Sequence, residues 1–234
     1  RLSFDLQPEI ASRMGYQDRA GQLGVERFMK RYFLAAKDVG GLTRIVAAKL
    51  EAQQKKKPEG LRRFLPAKAS VSLDDEGFTL DAGRISIASE ETFKDDPLNM
   101  LRLFLIAQRE NKDVHPDAVV GVARNLKALR PNMRALPETQ SLLQDALLKG
   151  ARPGLVLRRM NEVGVLGRAL PEFGDIVGQT QFNMYHHYTV DEHTIRAVEA
   201  MSDMEHGRGE PRAEERRVGI GGGAWFAAER STRR

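Results

Sequence analysis

Three of the five histidines in this chain lie within eight residues, at His186, His187 and His193. A neutral imidazole binds divalent metal ions well, and Asp191 and Glu192 add carboxylate oxygens to the same stretch. These residue types make the stretch a candidate metal site. The alternative is that the histidines are polar residues of an interface and bind no metal.

A helix is predicted to begin beside these histidines. The apolar residues that follow recur at helical spacing: Val190, Thr194, Ile195, Val198 and Met201. A short oxygen-bearing side chain at the start of a helix accepts hydrogen bonds from the free amides of its first turn, so Thr189 and Asp191 are candidate caps. For Asp191 we favour the role of a cap over that of a metal ligand.

Helices are also predicted for residues 2 to 53, where apolar residues repeat every three or four positions. Gly15, Gly21, Gly24 and the Gly40-Gly41 pair are predicted to separate them. Four cations among these helices are interpreted as a solvated face: Arg27, Lys30, Arg31 and Lys37.

The middle of the chain changes from helical to alternating apolar spacing and back again. Short alternating runs separated by turn residues predict a small antiparallel β meander near residues 69–88. Helical spacing then predicts a helix that starts at Asp96-Pro97. It predicts three more helical segments, at about 117 to 130, 137 to 149 and 153 to 163. The predicted fold class is mainly α: a helical, bundle-like connector with a small antiparallel β meander and a disordered C-terminal tail.

The charge of the chain is concentrated in that tail. The net charge is +5, and the segment from His206 to Arg234 contains seven Arg and four Glu, which accounts for +3 of it. The remaining residues are close to neutral, so charge alone does not indicate a nucleic-acid-binding face. The chain has no cysteine, which is consistent with a reducing cytoplasm, and no apolar run long enough to span a membrane.

Several longer segments resemble one family. They are Arg27 to Val39, Phe93-Lys94-Asp95-Asp96-Pro97, Leu157 to Gly167, Leu170-Pro171-Glu172-Phe173, and Tyr185-His186 followed by Tyr188-Thr189-Val190-Asp191-Glu192-His193-Thr194. Together they resemble the bifunctional uridylyltransferase/uridylyl-removing enzymes of bacterial nitrogen regulation. The resemblance covers residues 1 to about 205.

The chain is predicted to divide into four parts, the first three of which the resemblance implies. Residues 1–54 would be the helical end of a nucleotidyltransferase domain, and residues 55–180 a helical connector that includes the meander. Residues 181–205 would begin an HD-type phosphohydrolase domain. Residues 206–234 lie outside the resemblance, and their glycines and dispersed arginines, which replace the apolar periodicity, predict an aberrant, disordered tail. The chain is accordingly expected to be an internal fragment of a longer protein.

The resemblance also implies an activity for the intact parent protein. The parent would transfer UMP from UTP to a tyrosine of the PII signalling protein and remove it by hydrolysis, with glutamine deciding which reaction prevails. The implied cofactor is a divalent metal ion, Mg or Mn. The expected location is the cytoplasm, with neither a membrane nor a nucleic acid as partner.

His193 matches the first metal ligand of the family's hydrolase domain. The family's site also needs a later His-Asp pair and a further Asp, whereas the only later histidine here is His206, which precedes Gly207. His193 is assigned as a metal ligand. No residue is assigned to catalysis or to cofactor binding. By itself the fragment is expected to be inactive.

Two other interpretations remain open at this point. A helical, RNA-binding body of a tRNA nucleotidyltransferase-like protein would also follow a nucleotidyltransferase domain. A purely structural connector without ligands is the third interpretation.

Overall fold

A computed structural model describes residues 2–55, 71–150, 152–182 and 188–208. Most of these residues are helical, and the only sheet among them has three antiparallel strands. The predicted fold class is thereby confirmed for this part of the chain. The predicted tail begins where the last helix ends, at Glu205, but residues 209–234 lie outside the described residues.

Ten α-helices and three strands are described. The helices are α1 (Gln7–Arg13), α2 (Gly24–Lys55), α3 (Thr92–Asp95), α4 (Asn99–Arg109), α5 (Pro116–Asn125), α6 (Pro137–Leu148), α7 (Pro153–Glu162), α8 (Val165–Ala169), α9 (Pro171–Ile176) and α10 (Val190–Glu205). The strands are β1 (Val71–Ser72), β2 (Phe78–Asp81) and β3 (Arg84–Ile87).

The three strands pair in sequence order and form the predicted meander. Asp81 pairs with Arg84 across the β2–β3 turn, so only Ala82 and Gly83 connect the strands. Both residues have positive φ, 48° and 79°, as a two-residue hairpin turn of the primed type requires. This register turns Phe78 and Ile85, both buried, toward the helices.

One large hydrophobic core joins the sheet to most of the helices. Its fully buried members include Phe93 of α3, Met160 of α7 and Ile195 of α10. A second, smaller cluster forms where α1 packs on the beginning of α2, around Phe28 and Met29. No helix in the described part of the chain is both long and apolar enough to cross a lipid bilayer.

The predicted boundary at Gly40-Gly41 is wrong. Helix α2 runs without a break from Gly24 to Lys55 and contains both glycines. A glycine inside a helix weakens it by only about 0.5–1 kcal/mol relative to alanine, whereas a proline costs about 3 kcal/mol. Lys30 and Lys37 also bind later parts of the chain from the half of α2 that precedes the glycines.

Replacing Gly40 with alanine should therefore stabilise the chain. A Cβ atom added at Gly40 meets nothing within 4 Å. We expect the free energy of unfolding to rise by about 0.5–1 kcal/mol in a urea titration. Gly24→Ala is the matched control, because its Cβ would lie 2.5 Å from the carbonyl oxygen of Tyr16 and should lower stability. A stability loss for Gly40→Ala would contradict the open environment of this position.

Candidate metal-binding helix and the polar network beneath it

Helix α10 carries the one histidine of the predicted site that the structure places. His193 lies in the first turns of α10 and is half-buried, whereas His186 and His187 lie outside the described residues. Within the described ranges, no group of three His, Asp or Glu side chains is arranged to hold a metal ion. Of the three histidines of the predicted site, the described residues therefore contain one candidate ligand, His193.

The opposite face of α10 is buried against α7. Asp191, Ile195 and Ser202 are the buried residues of α10 and recur at helical spacing. The two helices approach closely because Gly154 of α7 has no side chain: a Cβ there would lie 2.6 Å from Cβ of Glu199. This contact fixes the position of the helix that carries His193.

Asp191 does not cap α10, and its predicted role is wrong. The cap position is Thr189, whose side chain makes no capping hydrogen bond either. The Asp191 carboxylate instead accepts a hydrogen bond from Nδ2 of Asn161 at 2.8 Å and another from the backbone amide of Gly178 at 3.1 Å. The two bonds use both oxygens of a carboxylate that is only 6% exposed.

Lys37 of α2 joins this pair from the other side. Its Nζ donates to Oδ1 of Asn161 at 2.9 Å. Burial lowers the pKa of the Lys37 ammonium from its ordinary value, and the Asp191 carboxylate acts in the opposite direction. Lys37, Asn161, Asp191 and the Gly178 amide thus form one polar network, which we call the Asn161 network.

The interpretation of the α2 cations as a solvated face is wrong for Lys37, which is largely buried, whereas Arg27 and Lys30 remain partly exposed and bind backbone carbonyls. Besides Lys37, Lys30 donates to the carbonyl oxygen of Asp175 at 2.9 Å. Arg27 donates to the carbonyl oxygen of Gln17 at 2.8 Å. Arg31 is exposed, as predicted. The inner side of α2 is a docking face for the segment that leads into α10.

The acidic flank of α10 is occupied by arginines. Arg158 of α7 pairs with Glu192 at 3.2 Å and with Glu199 at 3.3 Å. Arg196 also pairs with Glu192, at 3.1 Å, and its guanidinium lies 4.1 Å from the ring centroid of Tyr188. Glu192 is therefore engaged by two cations, which makes it a poor candidate for the additional metal ligand that its sequence position suggested.

A groove of about 750 Å³ lies between α2, α5 and α7. Its lining mixes cations such as Lys37 and Arg159 with acids such as Asp113. Arg159 is already paired with Asp113, so the groove does not present a set of free cations to a phosphate.

Sequence reasoning missed Lys37 and Asn161. A signal for Asn161 was present, because it adjoins Met160 on the stripe of α7 that also contains the buried Val156 and Leu157. A polar amide on an otherwise buried stripe usually has a specific partner. The identity of that partner could not be read from the sequence, since Lys37 is 124 positions away.

Two family models match the chain. Residues 1–47 match a family described as GlnD PII-uridylyltransferase, and residues 78–169 match one described as the third domain of uridylyltransferase GlnD. Proteins named bifunctional uridylyltransferase/uridylyl-removing enzyme, from Caulobacter vibrioides strain NA1000 and Phenylobacterium zucineum strain HLK1, are each 52% identical to the chain over 211 residues. The chain belongs to the GlnD uridylyltransferase family. The family resemblance predicted from the sequence is confirmed.

This GlnD chain is shorter than its relatives. The match covers 89% of the chain but 22% of the length of each relative. No solved structure matches the chain. The comparisons support the GlnD interpretation and not the RNA-binding body of a tRNA nucleotidyltransferase.

Proposed function

We propose that this GlnD chain is part of an enzyme that transfers UMP from UTP to a tyrosine of the PII protein and also removes it by hydrolysis. The observation that carries the proposal is the 52% identity, over 89% of the chain, to proteins whose name contains both activities. The description of the family that matches residues 1–47 supports PII as the protein substrate. Control by glutamine and a cytoplasmic location, without membrane or nucleic-acid partners, belong to the same proposal.

The proposed parts of the enzyme follow the order of the chain. Residues 1–54 end the transferase domain, residues 55–180 form the connector, and residues 181–205 begin the hydrolase domain. The match of residues 78–169 to the third domain of GlnD supports a separate unit between the two activities.

His193 is proposed as the first metal ligand of the hydrolase domain. Because the described residues contain no group of three possible ligands, the fit to this role rests on His193 alone. The imidazole is half-buried on a helix that Ile195 and Asp191 anchor, so its backbone has a fixed position. A bound Mg or Mn ion would activate a water molecule and neutralise the phosphodiester. The role of the chain itself is to hold one imidazole ready for that ion.

The proposal is tested in a full-length relative, such as the Caulobacter vibrioides enzyme. Alanine at the position aligned with His193 should lower the rate of UMP release from uridylylated PII by at least about 100-fold, since even residues that only support a ligand contribute 10–100-fold. Uridylyl transfer in the same preparation should be unchanged. Both rates are followed with UTP labelled at its α-phosphate, the phosphate that is transferred to PII and later released as UMP.

Two controls accompany this measurement. Alanine at the position aligned with Met201, which is exposed on the same helix, should leave both activities unchanged. The 234-residue chain alone should release no UMP. Release of UMP by the isolated chain, or full hydrolysis by the histidine variant, would contradict the assignment.

A further inference from the structure

The Asn161 network joins four segments that are distant in sequence. Lys37 belongs to α2, Asn161 to α7, Gly178 to the segment after α9, and Asp191 to the first turn of α10. The first and last of these belong to the proposed transferase and hydrolase parts. The Asn161 network thus links the proposed transferase part to the proposed hydrolase part, on either side of the proposed connector.

The network admits one arrangement of its donors and acceptors. An ammonium group can only donate and a carboxylate can only accept, so the Asn161 amide must turn its oxygen to Lys37 and its nitrogen to Asp191. Asn161 and Asp191 are each 6% exposed. A buried carboxylate that loses its partners is strongly unfavourable, so a shifted or rotated α10 would be disfavoured.

The geometry of the helix connects this arrangement to His193. Successive residues of an α-helix lie about 100° apart around the axis, so His193 lies about 200° around from Asp191. Asp191 fixes the inner side of the turn, and the backbone amide of Val190 donates to the carbonyl oxygen of Gln179 at 2.8 Å. These contacts of Asp191 and Val190 set the rotation of the first turn of α10. They thereby set the direction in which His193 projects from the helix.

We propose that Asp191 is a positioning residue for His193, held in turn by Asn161 and Lys37. The proposal rests on the assignment of His193 as a metal ligand. It gives Asp191 a role that is distinct from ligation: the carboxylate faces α7, and the imidazole faces the other way. It also makes Lys37 of α2 a determinant of metal affinity at the hydrolase site.

The decisive experiment exchanges the two polar residues. In the double variant Asn161→Asp with Asp191→Asn, a carboxylate at 161 accepts from Lys37 and from the new amide, whose oxygen accepts from Gly178. Every hydrogen bond of the network is kept. If Asp191 acted directly on the metal ion, the exchange would remove a ligand and could not restore binding.

The variants are made in a full-length relative that carries Lys, Asn and Asp at the positions aligned with 37, 161 and 191. Mn²⁺ binding is measured by electron paramagnetic resonance. The binding that depends on His193 is the difference between the Mn²⁺ bound by the parent enzyme and that bound by the His193→Ala variant. Asn161→Ala and Asp191→Asn should each weaken that binding by about 10–100-fold, and the exchanged pair should return it to within a few-fold of the parent. Asn125→Ala, which removes a different amide hydrogen bond, should have no effect.

Hydrogen exchange in the 234-residue chain gives an independent measurement. Asn161→Ala should speed the exchange of amides in residues 190–196, whereas the exchanged pair should restore protection. Unchanged Mn²⁺ binding in both single variants would overturn the positioning role. The positioning role would also be overturned if the double variant Asn161→Asp with Asp191→Asn regained amide protection but not Mn²⁺ binding. Asp191 would then act on the metal directly. If His193→Ala itself leaves Mn²⁺ binding unchanged, the ligand assignment fails instead.

Discussion

Replacing Phe93 with alanine should lower the free energy of unfolding by about 3–5 kcal/mol. The Phe93 side chain is fully buried. The ring packs closely against Gly121 of α5. A Cβ atom added at Gly121 would lie 3.1 Å from the phenyl ring and 3.2 Å from Ile87 of β3. Removing the ring leaves a cavity where the sheet, α3 and α5 meet, and the surrounding structure relaxes only partially into such a cavity.

The loss is measured as a shift of the urea unfolding midpoint, followed by far-ultraviolet circular dichroism. Since domains are stable by only about 5–15 kcal/mol, the variant should unfold at much lower urea. Leu148→Ala is the control, because Leu148 is 78% exposed and its replacement should change stability by at most about 0.5 kcal/mol. A Phe93→Ala variant as stable as this control would show that Phe93 is not a core residue.

Replacing Ile195 with alanine should cost about 2–5 kcal/mol. Ile195 is fully buried and connects α10 to the same core as Phe93 and Met160. Because it lies near the C-terminal end of the described residues, the loss is expected to act first on α10. Hydrogen exchange should therefore show loss of protection across α10 at denaturant concentrations where α4 is still protected.

The matched control for Ile195→Ala lies on the same helix. Met201 is 59% exposed, so Met201→Ala should leave the exchange of α10 nearly unchanged. Equal protection of α10 in the Ile195 and Met201 variants would argue against a helix anchored through its inner face.

The elements of the fold were largely predictable from the sequence because their signals are local. Alternation and turn residues predicted the meander, and helical apolar spacing predicted α5, α6 and α7 to within a residue of where they begin. The continuity of α2 through Gly40-Gly41 was not predictable in the same way. A glycine pair is typical of a boundary, but its cost inside a helix is small, and the preceding turns of α2 also contact distant residues, as Lys30 contacts Asp175.

The candidate site was predictable only in part. The family resemblance singled out His193, and the helix that carries it follows from apolar spacing. The predicted role of Asp191 as a cap was wrong. Short acidic residues at the start of a helix usually cap the helix, and only the packing of α10 shows that Asp191 faces inward. Lys37 and Asn161 become relevant only when α2 and α7 are brought together.

The close contact between α7 and α10 limits how this protein could exchange modules in evolution or in the laboratory. A foreign segment joined at residue 181 would bring its own helix onto the surface that α7 presents to α10. That helix would need an acid at position 191 and an aliphatic side chain at 195, and the recipient would need glycine at 154. The contact between α7 and α10 therefore depends on matched residues from both helices, and recombination here favours close relatives as donors.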